Sequence, residues 1–150
     1  MVTRITIAVF ALFALALLSP LHKIHAQTTA VQTNRTNIIG TWKATIPGRR
    51  KGLVFRGELL VRAGTGPNQY RGRLTLNYPE GKKSVVQDAN ISVEGSKVTI
   101  KCTVAKLIGF GPGESYNADE YLLTLAGNTM SGGSQDMSGY ADENNVFQKM

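Results

Sequence analysis

From residue 38 to the end of the chain, apolar and polar residues alternate, and clusters of Gly, Pro and Asn interrupt the alternation at regular intervals. A period of two places every second side chain on the same side of an extended backbone, so each uninterrupted segment reads as a strand with one face to bury. Helices need apolar residues spaced three and four apart, and no stretch beyond residue 38 has that spacing convincingly. A chain built only of one-faced strands must bring several of them together around a shared interior. The fold class is therefore all-β.

The rows can be followed strand by strand. Over residues 38–46, Trp42, Ala44 and Ile46 share one face, while Thr41, Lys43 and Thr45 share the other. Pro47-Gly48-Arg49-Arg50-Lys51-Gly52 is then a basic turn. Residues 53–62 bury Leu53, Phe55, Leu59 and Val61 and expose Arg56, Glu58 and Arg62. After a Gly-Pro-Asn loop, Tyr70, Leu74, Leu76 and Tyr78 face inward against Arg71, Arg73 and Thr75, and Pro79-Glu80-Gly81 turns the chain. Residues 85–93 make a fourth strand. Glu94-Gly95-Ser96 closes a hairpin into a fifth, whose inward row is Val98, Ile100, Cys102 and Val104. A sixth carries Tyr121, Leu123 and Leu125, a seventh lies around Met130, and an eighth near Val146-Phe147 ends the chain.

Eight short strands with brief connections make an antiparallel meander. Its apolar face is buried either by curling into a closed barrel or by folding over as a sandwich. Gly40, Gly57 and Gly72 fall on the inward rows of the first three strands, where a missing side chain permits the sharp bend that closure needs. A single antiparallel meander of about eight strands closed into a barrel over residues 38–150 is the expected architecture.

The segment ahead of the barrel has a different composition. Arg4 precedes an apolar run from Ile5 to Leu18 broken only by Thr6, which is short for a bilayer span, and Ser19-Pro20 then interrupts it. Small Ala26 marks a cleavage position, with Ala30 as a second, so residues 1–26 read as a cleavable signal peptide and the chain as exported, to a periplasm or outside the cell. An uncleaved anchor is the alternative reading of the same run. Residues 27–37, rich in Thr, Gln and Asn, read as a disordered lead-in. Both histidines, His22 and His25, lie in the leader, and the one cysteine is Cys102. The mature chain would then lack histidine and any internal disulfide, and no cysteine follows the apolar run to carry a lipid anchor.

That inventory excludes most chemistry. Without histidine, neither a Ser-His-Asp nor a Cys-His arrangement can form, and no metal site or cofactor is expected. Cys102 on an inward row reads as a small buried hydrophobe. Glu58, Asp119, Glu120, Asp136, Asp142 and Glu143 are the acids open to glycoside chemistry, and among them Asp119 alone has the parity of an inward residue, that of Tyr121. The acidic stretch 135–145 matches no calcium loop, and Gly109-Phe110-Gly111-Pro112-Gly113 lacks the following helix of a phosphate loop and reads as a flexible rim loop. No catalytic residues are assigned, and the protein is expected not to be an enzyme.

Charge is unevenly distributed. Residues 35–83 hold 11 basic residues against Glu58 and Glu80, whereas residues 84–150 hold 4 basic against 8 acidic. If the halves interleave, the surface is mixed and internally paired; if they stay apart, the molecule is dipolar and steers an anionic partner to its basic side. Arg49, Arg50 and Lys51 are either a solvated tip or a contact for a protein or anionic partner, and the lack of interleaved aromatic residues argues against nucleic acid.

Gly40-Thr41-Trp42, opening the first strand of an eight-stranded exported barrel, resembles the G-x-W motif of lipocalins and their calycin relatives. The resemblance spans residues 38–150 and implies that Trp42 packs across the barrel floor and that a basic residue near the carboxyl end, here Lys149, covers it. The carboxy-terminal helix and disulfide of lipocalins have no counterpart. Avidins open similarly but bind biotin with several tryptophans, and this chain has Trp42 alone. Small calycin-like protease inhibitors of bacterial periplasms also begin this way and use the barrel as a scaffold. An eight-stranded barrel either fills with its own side chains or holds one small ligand. Trp42, Phe55, Tyr70, Leu74 and Tyr121 are the interior residues assigned to a small apolar ligand; packed against one another, they make instead a filled barrel that acts through its loops and the basic turn 48–52.

Overall fold

A computed structural model describes residues 37–139 and 141–150; the leader of residues 1–26 and all but the last residue of the 27–37 segment lie outside them. The described chain consists of β1 (Gly40–Pro47), β2 (Val54–Ala63), β3 (Gln69–Asn77), β4 (Ser84–Glu94), β5 (Lys97–Ile108), β6 (Asp119–Ala126), β7 (Thr129–Asp136) and β8 (Ala141–Lys149). Each strand pairs antiparallel with the next, and β8 returns to β1 to close the barrel. The closing seam sets Trp42 opposite Lys149 and Ala44 opposite Phe147. Closure satisfies both edges of a meander that would otherwise present unpaired backbone.

Period-two burial explains why the sheet closes on this side. Trp42, Ala44 and Ile46, then Leu59 and Val61, then Leu74 and Leu76 are buried, as are Ile91, Ile100, Leu123, Met130 and Phe147 around the rest of the wall. Arg56, Arg62, Arg71, Arg73 and Asp88 stand on the outer face, the reverse of the apolar outer band of a barrel that crosses a membrane through its strands. Gly57 shows the closure device directly: a Cβ there would lie 1.8 Å from the Thr75 carbonyl oxygen. Backbones of β2 and β3 approach that closely only where one of them has no side chain.

The two ends of the barrel differ. The chain entry, the β2–β3, β4–β5 and β6–β7 turns and the carboxyl end share one end, which is plugged. Ile38 is wholly buried there, and Trp42 Nε1 donates to the Ile38 carbonyl at 2.8 Å. Lys149 Nζ sits 5.6 Å from the Trp42 ring centroid and donates to the Asn37 carbonyl at 2.8 Å. The floor implied by Gly40-Thr41-Trp42 is thus present, with Lys149 over it. At the other end, the β1–β2, β3–β4, β5–β6 and β7–β8 connections surround a mouth.

A meander keeps sequence neighbours as spatial neighbours, so the charge halves do not interleave. The basic half forms the adjacent staves β1, β2 and β3, and the two halves meet in ion pairs at their seams, Arg73 with Asp88 at 2.8 Å and Lys83 with Glu114. The mixed surface expected from compactness alone gives way to a basic wall over β1 to β3, because topology decides which residues mix.

Candidate functional site

The side chains that fill the barrel stop at a polar layer. Gln87 interrupts the apolar row Val85, Ala89, Ile91 and Val93 of β4, and it is fully buried. Its amide nitrogen donates to Asp119 Oδ2 at 3.0 Å, and its carbonyl oxygen accepts from the Asp119 backbone N–H at 3.3 Å. Two phenols converge on the same carboxylate oxygen, Tyr116 at 2.7 Å and Tyr121 at 3.1 Å. Tyr121 in turn packs edge-on against Phe147, ring centroids 5.4 Å apart. Asn145, also fully buried, donates to Ser134 Oγ at 2.9 Å, and its own Oδ1 has no hydrogen-bond partner among the described residues.

Burial pushes the Asp119 carboxyl above the usual carboxylate range, and Asp136 adds to the shift by repulsion; the hydrogen bonds from Gln87, Tyr116 and Tyr121 pull it back down. Asp136 is the register partner of Asp119 on β7. The Tyr116 and Tyr121 hydroxyls are raised, first by burial and then by the adjacent carboxylate, so they act as donors. Cys102, half-buried, is also pushed up by burial.

Above this layer the mouth opens into a cleft of about 510 Å³. That lies within the few hundred to a thousand Å³ typical of small-molecule sites. One side is apolar, made of Ile46, Leu53, Phe55 and Tyr78. Phe55 and Tyr78 meet edge to face at 4.7 Å, and Phe110 extends the aromatic row at 5.7 Å from Tyr78. Arg49 and Arg50 of the basic turn line the rim, and Tyr116, Asp119, Ser134 and Asp136 line the opposite, polar side. The loop after β5, expected to be flexible, is tied to this rim: Glu114 pairs with Lys83 and also accepts the Gly111 N–H at 2.6 Å. Among the described residues no three His, Cys, Asp or Glu side chains gather as a metal centre.

The residues assigned from sequence fall in three places. Phe55 lines the cleft. Trp42, Leu74 and Tyr121 are sealed in the packed interior, and Tyr70 is half-buried at the plugged end, packed against the core. Arg49 and Arg50 join Phe55 in the cleft, whereas Lys51, on the same turn, is exposed outside its lining. Of the interior residues assigned from sequence, Phe55 alone joins the basic turn in this cleft, through Arg49 and Arg50. Gln87 carried a signal in the sequence, as a polar residue on an apolar row, whereas Asn145, with Glu143 and Lys149 in step with it, and Tyr116, in a loop without periodicity, carried none.

Comparison of the chain with protein-family models, with curated proteins and with solved structures finds no match.

Proposed function

We propose that this protein is an exported, non-catalytic, calycin-like barrel that binds a small amphipathic anion in its open mouth. The supporting observation is that one cleft of ligand size combines an apolar aromatic side, Phe55 and Tyr78, with the guanidinium-bearing turn Arg49-Arg50. An apolar body would rest on Ile46, Leu53, Phe55 and Tyr78, its anionic head would face Arg49 and Arg50, and a hydroxyl on it would find Asp119 as acceptor. Packing of the interior up to Gln87 and Tyr121 favours binding at the mouth over binding deep inside, since core side chains already occupy that volume. The export reading rests on the leader composition of residues 1–26.

Calorimetric titration with decanoate and with decanol, its uncharged counterpart, tests this reading. Decanoate is expected to bind at least tenfold more tightly, and Arg49→Gln/Arg50→Gln is expected to erase that preference while leaving decanol unchanged. Equal binding of both probes, or none, overturns it.

A second reading rests on one geometric fact. Asp119 and Asp136 face each other across β6 and β7 inside the cleft, one of them with a raised pKa, as carboxylate pairs in glycoside hydrolysis do. Turnover of aryl glycosides that disappears in Asp119→Asn would replace binding with catalysis.

A further inference from the structure

The outer wall of β2, β3 and β4 carries an arrangement that neither the mouth nor the packing of the barrel uses. Register sets Arg62 directly opposite Arg71, and Arg71 opposite Asn90. Lys101 follows opposite Asn90, so the row across four staves reads Arg62, Arg71, Asn90, Lys101. No carboxylate stands in it before Glu120, which holds Lys101 at 3.2 Å. The neighbouring row is different. There Leu60, Arg73, Asp88 and Thr103 are in register, and Arg73 is held by two hydrogen bonds from its guanidinium to Asp88 Oδ1, at 2.8 and 3.0 Å. The wall thus supplies a carboxylate to one arginine and sets two others against each other, and like charges directly opposed across a strand pair are destabilising.

These two rows flank a groove of about 560 Å³, and between them the backbone at Gly72 and Ala89, residues of the inward-facing rows, forms its floor. A second concavity, bearing Lys43 and Arg56 together with Glu58, adjoins it and shares Leu60 and Arg73 with it. The depression runs across the outside of the barrel along its basic staves.

We propose that this groove binds a linear acidic polysaccharide, with Arg62 and Arg71 as the paired contacts to its carboxylates. A groove with uncompensated cations seats a chain of repeated anions, whereas a flat bilayer would touch only its edges. Asn90 and Thr103 offer neutral partners for sugar hydroxyls, and exposed Leu60 offers an apolar contact for a ring face. No Trp, Tyr or Phe lines it to stack a nucleobase, which favours a glycan over a single-stranded nucleic acid. The site lies on the outer wall and is independent of the mouth cleft.

Binding of polygalacturonate oligomers, measured by calorimetry against neutral dextran, phosphatidylglycerol vesicles and single-stranded DNA, tests the assignment. Polygalacturonate is expected to bind at low salt, and the Arg62→Gln/Arg71→Gln double variant to bind it at least tenfold less tightly. The dependence of log affinity on log salt should also fall by about two charges, one per cation removed. Both side chains are exposed, so the variant should keep the far-ultraviolet spectrum and melting temperature of the parent or melt slightly higher. Arg50→Gln/Lys51→Gln, on the mouth turn, should retain the affinity. Absent polygalacturonate binding, an unchanged double variant, loss confined to the turn variant, or preference for vesicles or DNA each overturns the proposal.

Discussion

Asp119→Ala removes the acceptor on which the polar layer converges, and the structure sets the size of the effect. Three donors lose their partner: the Gln87 amide, the Tyr121 hydroxyl and the Tyr116 hydroxyl. Gln87 and Tyr121 are fully buried, so water cannot replace the lost bond without opening the barrel. A buried donor left unsatisfied costs about 1–3 kcal/mol, so the two sealed donors together cost about 4 kcal/mol. Loss of a carboxylate whose charged form is disfavoured by burial offsets part of this, leaving about 3 kcal/mol, or a melting point lower by about 10 °C for a domain of this size. Asp119→Asn keeps an oxygen acceptor and should cost about 1 kcal/mol. Its cost should also depend on pH, with a definite sign. The folded Asp119 carboxyl titrates above its ordinary value of 3.8, so folding favours its protonated form relative to the unfolded chain. Its contribution to stability is fully present below pH 3.8 and is lost as pH rises through the folded pKa. The gap between wild type and Asp119→Asn should therefore narrow on going from pH 3.5 to pH 7. Urea unfolding followed by the fluorescence of Trp42, the single tryptophan, gives both quantities. An Asp119→Ala variant within about 1 kcal/mol of wild type, or an Asn gap that does not narrow with pH, would refute the assignment of Asp119 as the hub of this layer.

Three further outcomes follow from the same geometry. Gly57→Ala forces a Cβ to within 1.8 Å of the Thr75 carbonyl oxygen, so denaturant unfolding should show a loss of about 3 kcal/mol or more; near-neutral stability would mean that β2 and β3 do not approach so closely. Lys149→Ala removes the bond to Asn37 and the cation over Trp42, and should lower stability by about 1–2 kcal/mol and raise acrylamide quenching of Trp42, whereas unchanged quenching would detach Lys149 from the floor. Burial pushes the Cys102 thiol up, so iodoacetamide should label the native protein at pH 8 far more slowly than the urea-unfolded chain, and equal rates would place the thiol in solvent.

The barrel was legible in the sequence wherever an inward row was apolar. Trp42, Ala44 and Ile46 or Leu74 and Leu76 announce their face because burial in an eight-strand wall selects hydrophobes at every second position. The same signal faded at β7, whose inward row of Gly132, Ser134 and Asp136 has no apolar member beyond Met130, and so Asp136, named among the available acids, carried no sign of its place opposite Asp119. It faded again in the upper part of β5, where a register shift beside Val86 and Gln87 inserts an extra residue and breaks the period. Asp119 was visible from its parity with Tyr121; Tyr116, reaching it from a loop, was not. Joining Phe55 to Arg49 and Arg50 in one cleft required the ends of the barrel to be distinguished, and this depends on which end Ile38 and Trp42 plug. The charge asymmetry, plain in the sequence, became a basic wall only through the meander.

The most direct test of binding at the mouth is a map of backbone amide chemical shifts during titration with decanoate. Shifts should concentrate at Ile46, Arg49, Arg50, Phe55, Tyr78 and Tyr116, with Trp42, Leu74 and Met130 at the plugged end and in the packed core unmoved. Shifts centred on those core residues, on the outer wall at Arg62 and Arg71, or nowhere would contradict the account.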